Sequence, residues 1–299
     1  MDRFVIQRLK KEIGEMEMEE KADSAISAGS AQVHVPLGIA SLDRSLGGGL
    51  KCGALHEIHG GHAKCGASEG TLNGAHESAG AASAFALALA IRLASVRQSY
   101  RPHILWIQDT LSQHEAGCPY GPGLMAFGID PDQLIFVTVK KAVHALWAME
   151  EGLQSSALVA VIAEIWGEPA ALSMDGTMTA TRRLQLAAVK NGVTALLVRH
   201  GAAPTANAAR ARFRVTSAPG PPARLDASLP LDRRFILGLP AWQVALERNR
   251  AGATGRWPIA WSPHGTTFTD PATLSLGMVS PFPDRPACTS GTERRALAV

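Results

Sequence analysis

The sequence predicts an α/β fold with a mostly parallel central sheet flanked by helices, and two observations carry that prediction. Apolar strand-like segments alternate with helix-like segments over residues 54–200, which indicates crossover connections between parallel strands. Several strand-like segments are continuous apolar runs, as expected where helices cover both faces of a sheet.

The individual elements follow from the same periodicities. Strand-like segments lie at 54–60, 103–108, 133–139, 157–165 and 193–200, and helix-like segments at 80–97, 141–154 and 178–191. After Gly201 the stretches "ARARFRV", "WQVALERNRAG" and "RWPIAWSPHGTTF" predict antiparallel strands that close one edge of the sheet.

The two ends of the chain differ in composition from this central part. Residues 3–20 have apolar side chains at helical spacing among charges, which predicts an amphipathic arm of about five turns. Its apolar positions are Phe4, Leu9, Ile13 and Met16. The small residues of 22–32 predict a flexible tether, and the Pro, Ser, Thr and Gly content near the C-terminus predicts a flexible tail. The expected organisation is an N-terminal helical arm and linker at 1–32, a main domain at 33–278 and a tail at 279–299.

Composition narrows the class of protein. The chain has 299 residues, of which 46% are hydrophobic, enough for a sizeable core. It has no run of eighteen apolar residues and does not begin like a secretory signal, so we expect a cytoplasmic protein without a membrane partner. The four cysteines show no C-x-x-C pairing, which argues against a zinc site or a disulfide framework.

Charge is distributed unevenly along the chain. Between Arg182 and Arg256 there are thirteen basic and three acidic residues, a net charge of +10, whereas the whole chain carries +3. Such asymmetry is typical of a surface that faces phosphate or an acidic partner. An arginine-rich composition without a binding role produces the same pattern.

Two long stretches carry a family resemblance. The segments "VPLGIASLDRSLGGGLKCGALHEIHG" and "YGPGLMAFGIDPDQLIFVTVKKAVHALWAMEEGLQSSALVAVIAEI" resemble RecA/RadA-type recombinases, and the similarity extends over roughly 36–265. Within that superfamily, the degenerate phosphate loop, the alanine-rich helix and the basic C-terminal third are most similar to the inducible mutagenesis protein A (ImuA) family.

The resemblance implies a RecA-like core and an accessory role in damage-induced (SOS) mutagenesis. Its implied partners are a Y-family-like polymerase homologue, an error-prone replicative polymerase and the RecA recombinase. In recombinases an N-terminal arm docks on the neighbouring subunit, so residues 3–20 are expected to dock on another RecA-like surface, either a second copy of this chain or the recombinase. Direct DNA binding is left open.

The alanine-rich helix is preceded by a segment that resembles a degenerate phosphate loop, for which two alignments exist. Working loops of the G-x-x-x-x-G-K-[ST] type need a lysine for phosphate and a hydroxyl for magnesium at a helix N-terminus. In the first alignment, Gly61 to Ser68, alanine stands at the lysine position and Gly70 and Gly74 follow, which disfavours a helix there.

The second alignment, Ala75 to Ala82, is preferred. It matches Glu77, Ser78 and Gly80 to the recombinase pattern and predicts a turn that opens onto a helix at Ala81. Ala81 and Ala82 then replace the lysine and the threonine. We therefore expect no catalysis and no ATP cofactor, although Lys64 leaves weak nucleotide binding open.

The resemblance also assigns three further positions. Glu164 aligns with the acid that helps to hold magnesium, Asp109 is an imperfect substitute for the glutamate that activates water, and His200 aligns with a sensor of the γ-phosphate. Polar residues at strand ends are common for structural reasons alone. Together these residues do not rebuild an ATPase.

Two other groups of residues are candidates for binding. His56, His59, His62 and His76 invite a metal hypothesis, but residues three apart on a strand face opposite sides, so no metal site is expected. Arginines at period two in "ARARFRV" form one face of a strand, and with neighbouring basic residues they are candidates for contact with DNA or an acidic partner. These candidates are Arg182, Arg183, Arg210, Arg212, Arg214, Arg248 and Arg250.

Two rival functions remain open at this level. The first is an active DNA-dependent ATPase that regulates recombination filaments through an unconventional lysine such as Lys64. The second is an SOS cell-division inhibitor, a related RecA-like class for which the basic stretch has no evident use.

Overall fold

The computed structural model describes residues 33–60, 73–97, 103–155, 157–167, 174–221 and 238–271. The arm predicted at 3–20 and the tail predicted from 279 lie outside the described residues. The boundary of the main domain at 278 lies outside them as well.

A large mixed sheet forms the centre of the described chain. Its strands are β3 (Leu55–Gly60), β4 (His103–Asp109), β5 (Leu134–Val139), β6 (Leu158–Trp166), β7 (Thr194–His200), β8 (Ala211–Ser217), β9 (Ala241–Asn249), β10 (Gly255–Ser262) and β11 (Thr267–Thr269). They lie in the order β11-β10-β9-β8-β3-β7-β6-β4-β5. A separate antiparallel pair consists of β1 (His34–Val35) and β2 (Leu50–Lys51).

Strand directions confirm the predicted α/β class. The strands from β3 to β8 are mutually parallel, and β9, β10 and β11 are antiparallel and close one edge. The "ARARFRV" strand β8 pairs in parallel with β3 and antiparallel with β9. It therefore belongs to the parallel core as much as to the antiparallel edge with which its sequence was grouped.

Helices cover both faces of this sheet. They are α1 (Ala40–Ser45), α2 (Asn73–Arg97), α3 (Thr110–Ala116), α4 (Gly121–Phe127), α5 (Ala142–Gly152) and α6 (Met174–Asn191). One core cluster joins α2 to one face, and a second joins α5 and α6 to the other. This is why strands β6 and β7 are buried along nearly their whole length and read as continuous apolar runs.

Helix α2 is the central element of the first core. Its stretch Ala79–Val96 is long and apolar enough to cross a membrane by length and composition, yet 67% of that stretch is buried inside the protein. Phe85 has ring centroids of Phe213, Trp242 and Phe268 at 5.6, 5.8 and 5.7 Å. Burying such a side chain stabilises the fold by about 1.5–3 kcal/mol, so α2 is held as a core helix.

The short helix α4 completes this end of the first core. It has a proline in its first turn and ends at Gly128, whose φ of 99° places it in the left-handed region. A Cβ at Gly128 would lie 3.1 Å from the Pro263 carbonyl oxygen, so only glycine fits there without displacement. The Trp261 indole N–H donates to the Phe127 carbonyl at 2.9 Å, which ties α4 to the antiparallel edge.

Candidate functional site

The three positions assigned to nucleotide chemistry lie at the C-terminal ends of neighbouring strands. Strands β7, β6 and β4 are adjacent, and in their register Gln108 is opposite Glu164. Asp109 ends β4 and His200 ends β7. The exposed fraction of Glu164 is 0% and that of His200 is 1%. The fold therefore brings Glu164 and His200 together beside Gln108, beneath the surface.

Two protein side chains, Gln108 and His200, lie beside one oxygen of the Glu164 carboxylate. The Gln108 amide Nε2 donates to Glu164 Oε2 at 2.5 Å and to the Gly117 carbonyl at 3.2 Å. His200 Nε2 lies 3.9 Å from the same carboxylate oxygen, and the Trp166 ring packs 5.4 Å from the imidazole. We refer to Gln108, Glu164 and His200 as the buried polar row. Its carboxylate faces protein groups instead of water.

Asp109 has a structural partner. Its Oδ1 accepts a 2.7 Å hydrogen bond from the Ser112 backbone N–H and caps the N-terminus of α3. Such caps contribute about 0.5–2 kcal/mol to stability. In this structure the carboxylate is thus committed to starting α3, and it is 4% exposed.

The turn predicted at Glu77, Ser78 and Gly80 is absent, because helix α2 begins at Asn73. The expected start at Ala81 was wrong by eight residues. Residues 73–82 contain three alanines between 79 and 82, the residue with the best helix propensity, and tertiary packing on the sheet offsets the cost of the glycines.

Ala81 and Ala82 lie inside this helix and face the core. Their exposed fractions are 8% and 0%, and both belong to the core cluster around α2. Gly80 is on the exposed side, with no atom within 4 Å of an added Cβ. The two positions that a phosphate loop gives to lysine and threonine are packing positions here.

Two members of the predicted arginine stripe, Arg212 and Arg214, lie on one face of β8, opposite the face that carries Phe213 into the core. Arg212 is 9% exposed, and its Nε donates to Glu57 Oε2 at 2.6 Å. Arg214 forms an ion pair with Glu247. These two arginines therefore have carboxylate partners within the chain.

Of the other candidate arginines, Arg183 and Arg248 form side-chain hydrogen bonds within the chain, and Arg182, Arg210 and Arg250 are described by their exposure. Arg248 donates to the Asn207 carbonyl at 2.6 Å, and Arg183 forms a bidentate pair with Glu150 at 2.8 and 2.9 Å. Arg182 is half-buried on α6. Arg210 is half-buried before β8, and Arg250 is exposed after β9. Burial lowers the pKa of the Arg210 and Arg248 guanidinium groups, and the positive charge of Arg250 lowers each further, which places all three in one cationic neighbourhood.

Glu57 anchors a buried ionic cluster that the sequence reasoning did not identify. Besides Arg212, the carboxylate has His59 Nε2 at 3.2 Å and Arg199 Nη1 at 3.5 Å, and it accepts a hydrogen bond from Asn207. Burial of the carboxylate would raise its pKa, but the hydrogen bond and charge of His59 and the contacts of Arg212 outweigh that effect and lower the pKa to about 2. The signal in the sequence was a glutamate inside an apolar strand, with arginines in strands that proved to be its neighbours.

Of the histidines that invite a metal hypothesis, His56 and His59 are described, and they have different partners. The His56 imidazole Nε2 is 2.8 Å from the Lys51 carbonyl, whereas His59 pairs with Glu57. His62 lies outside the described residues, as does the side chain of His76. Among the described residues no group of three or more His, Cys, Asp or Glu side chains is arranged to hold a metal ion.

Comparison with known proteins finds a similar protein. No protein-family model matches the chain. Over 221 residues it is 29% identical to Protein ImuA of Caulobacter vibrioides strain NA1000 / CB15N, an alignment that covers 71% of this chain and 76% of that protein. The values are the same for Protein ImuA of C. vibrioides strain ATCC 19089 / CIP 103742 / CB 15.

The similarity supports an ImuA-like family assignment. It confirms the resemblance that the motifs indicated. The sequence placed Glu164 and His200 at strand ends and Arg210, Arg212 and Arg214 at period two on one strand face, whereas the adjacency of the two strands comes from the structure. It did not foresee the helical course of residues 73–80 or the Glu57 cluster.

The helical position of Gly80 yields a stability prediction. Gly80→Ala should raise the free energy of unfolding by about 0.5–1 kcal/mol, because alanine restricts the unfolded chain and meets no neighbour. Gly53→Ala is the matched control and should destabilise, since Gly53 has a φ of +59° and its Cβ would lie 3.0 Å from Gly192. Urea unfolding measures both. A destabilising Gly80→Ala would indicate a loop at this position.

Burial of His56 yields a pH prediction. Burial is the main cause that lowers its pKa from 6.5 to about 4, so the unfolded chain binds more protons between these pH values. The free energy of unfolding should therefore fall as pH drops from 6.5 to 4, on the order of 3 kcal/mol from this group. His56→Gln keeps a donor for the Lys51 carbonyl and should flatten this slope, whereas surface His144→Gln is the control. Equal slopes in all three proteins would contradict the assignment. The stability that the lowered pKa of Glu57 contributes is lost in a separate pH window, as the pH falls from about 4.5 to about 2.

Proposed function

We propose that the chain is a cytoplasmic, non-catalytic accessory protein of damage-induced (SOS) mutagenesis, which supports error-prone translesion DNA synthesis by binding other proteins. Its similarity to Protein ImuA suggests the involvement in mutagenesis. The observation that carries the non-catalytic part is the burial of Ala81 and Ala82 in α2, at the positions where a phosphate loop needs a lysine and a hydroxyl.

The buried polar row supports the same proposal. A magnesium-assisted hydrolysis requires a carboxylate that reaches the metal and its waters. Glu164 is 0% exposed and accepts from Gln108 instead. Each 1.36 kcal/mol of lost transition-state stabilisation is about tenfold in rate, so loss of the lysine, the hydroxyl and an accessible acid together removes turnover.

The proposed partners are a Y-family-like polymerase homologue, an error-prone replicative polymerase and the RecA recombinase. Binding through the amphipathic arm at 3–20, to the recombinase or to a second copy of this chain, is part of the proposal.

A cationic surface provides a second proposed contact. Arg250 is exposed and Arg210 is half-buried near it, and their mutual repulsion favours an anionic partner such as DNA phosphate or an acidic protein segment. Arg212, Arg214 and Arg183 are engaged with Glu57, Glu247 and Glu150, so their contribution to such a contact is expected to be smaller.

ATP turnover tests the non-catalytic proposal. Wild type, Lys64→Ala and the double variant Ala81→Lys with Ala82→Thr should all release phosphate at the background rate, with and without single-stranded DNA. The double variant restores two side chains but not an accessible magnesium acid. Robust hydrolysis by the double variant would show an intact site. Wild-type turnover that disappears in Lys64→Ala would favour the rival ATPase.

Partner binding tests the accessory role. Replacing two apolar positions of the predicted arm, Leu9→Asp with Ile13→Asp, should weaken binding to purified recombinase by about tenfold or more, because two buried apolar side chains contribute several kcal/mol. Gln7→Ala, at a polar position of the same arm, is the matched control, and calorimetry of the full chain measures all three. Recombinase affinity that survives deletion of residues 1–30 would contradict docking by the arm.

A further inference from the structure

The two edge strands of the large sheet differ in length and in what lies beside them. β11 has three residues, and the Leu37 carbonyl lies along it, where it accepts from the Phe268 N–H at 3.0 Å and from the Thr267 hydroxyl at 3.1 Å. β5, at the other end of the strand order, has six residues and pairs with β4. Among the described residues, no strand pairs with the outer side of β5. Such an edge presents backbone N–H and C=O groups that pair readily with another strand.

β5 lacks the features that usually protect an open edge. Protected edge strands are short, carry charges or proline, or contain a bulge. The sequence of β5, "LIFVTV", has no charged residue and no proline, and its register with β4 continues without a shift from Leu134 to Val139. Ile135 and Phe136 are 46% and 38% exposed, and because they are adjacent they lie on opposite faces of the strand. The edge is therefore flanked by exposed apolar surface on both faces and is suited to pairing.

Charges of opposite sign flank the two ends of β5. Asp130 and Asp132 precede the strand, Lys140 and Lys141 follow it, and all four are exposed. Among the described residues, neither Asp132 nor Lys140 has an ion-pair partner. Antiparallel pairing of β5 with β5 of a second copy brings the acidic end of each strand to the basic end of the other, whereas parallel pairing brings like charges together. The edge is therefore complementary to itself in the antiparallel direction.

Two-fold symmetry restricts the register of such a pairing. Side chains directly opposite each other in an antiparallel pair point to the same face, and side chains alternate along a strand. Opposite positions must therefore both be even or both be odd. The register with Phe136 on the two-fold axis places Ile135 opposite Val137. In the same register Asp132 lies opposite Lys140 at both ends of the pair, so apolar contacts and charge complementarity agree on one alignment.

We propose that two copies of this chain associate through their β5 strands, antiparallel about a two-fold axis at Phe136, so that the two large sheets form one continuous sheet. A two-fold contact uses the same surface on both copies and closes at a dimer. This surface is distinct from the arm predicted at 3–20. The proposal goes beyond the proposed function, because neither the recombinase nor a polymerase takes part in the contact.

Charge exchange at the ends of β5 tests the pairing. In sedimentation equilibrium of the full chain at low ionic strength, over a range of protein concentrations, the wild type should form dimers and nothing larger. Asp132→Lys and Lys140→Asp each place like charges opposite each other at both ends, and each should weaken dimerisation about three- to tenfold. The double variant, Asp132→Lys with Lys140→Asp, restores opposite charges and should dimerise about as well as the wild type. Both positions are exposed, so the fold tolerates the changes.

A further variant tests the strand contact itself. Ile135→Lys introduces a charge of the kind that protects natural edge strands and should weaken dimerisation about tenfold or more. Leu186→Lys, at a comparably exposed apolar position on α6, is the matched control and should leave dimerisation unchanged.

Three results would overturn the proposal: a wild type that is monomeric at every concentration, a double variant that dimerises no better than the single ones, or Ile135→Lys that dimerises like the wild type. The dimer should persist after deletion of residues 1–30, and its loss there would assign the contact to the arm instead. Recombinase binding is measured separately on the same deletion variant, so failure of the arm proposal and failure of the β5 contact are distinguishable.

Discussion

The packing of α2 against the sheet is the constraint on which the rest of the structure depends. Its buried face is composed largely of alanines, which let the helix approach β3, β6, β7 and β8 closely around the Phe85 side chain. A lysine at position 81 or a threonine at 82 would have to be desolvated in that contact. Close packing of this part of α2 therefore favours small apolar side chains at both positions, and alanine is present at each.

The second face of the sheet contains a buried carboxylate beside its apolar core. Glu57 connects β3 to Arg199 of β7 and Arg212 of β8, and through Asn207 it fixes the segment that joins those two strands. Removing one partner from such a buried cluster typically costs 3–5 kcal/mol, because the other charges are left uncompensated. The cluster connects strands on this face through ion pairs and hydrogen bonds, whereas the aromatic contacts of Phe85 stabilise the other face through apolar burial.

Periodicity was sufficient to predict the strands of the large sheet and helices α5 and α6, because most of the parallel strands are buried on both faces and read as continuous apolar runs. It did not predict the short strands β1 and β2. It did not locate the start of α2, where the alignment with a phosphate loop favoured a turn although the alanines favoured a helix. The short helices α3 and α4 depend on local features, the Asp109 cap and Gly128, which carry little weight in a period-based reading. Glu57 was missed because strand order, and hence its arginine neighbours, is a tertiary property.

Two buried carboxylates of the same sheet differ in how their charge is compensated. Glu57 and Glu164 are both 0% exposed and both lie in strands of the same sheet. Glu57 has arginine on two sides and accepts from Asn207, so its charge is compensated. Among the described residues, Glu164 has only the neutral amide of Gln108 within hydrogen-bonding distance and an imidazole at 3.9 Å, and its Oε1 has no partner there. The first arrangement links three neighbouring strands of the sheet. The second places a carboxylate at a strand end without access to solvent, an arrangement consistent with the proposed non-catalytic role.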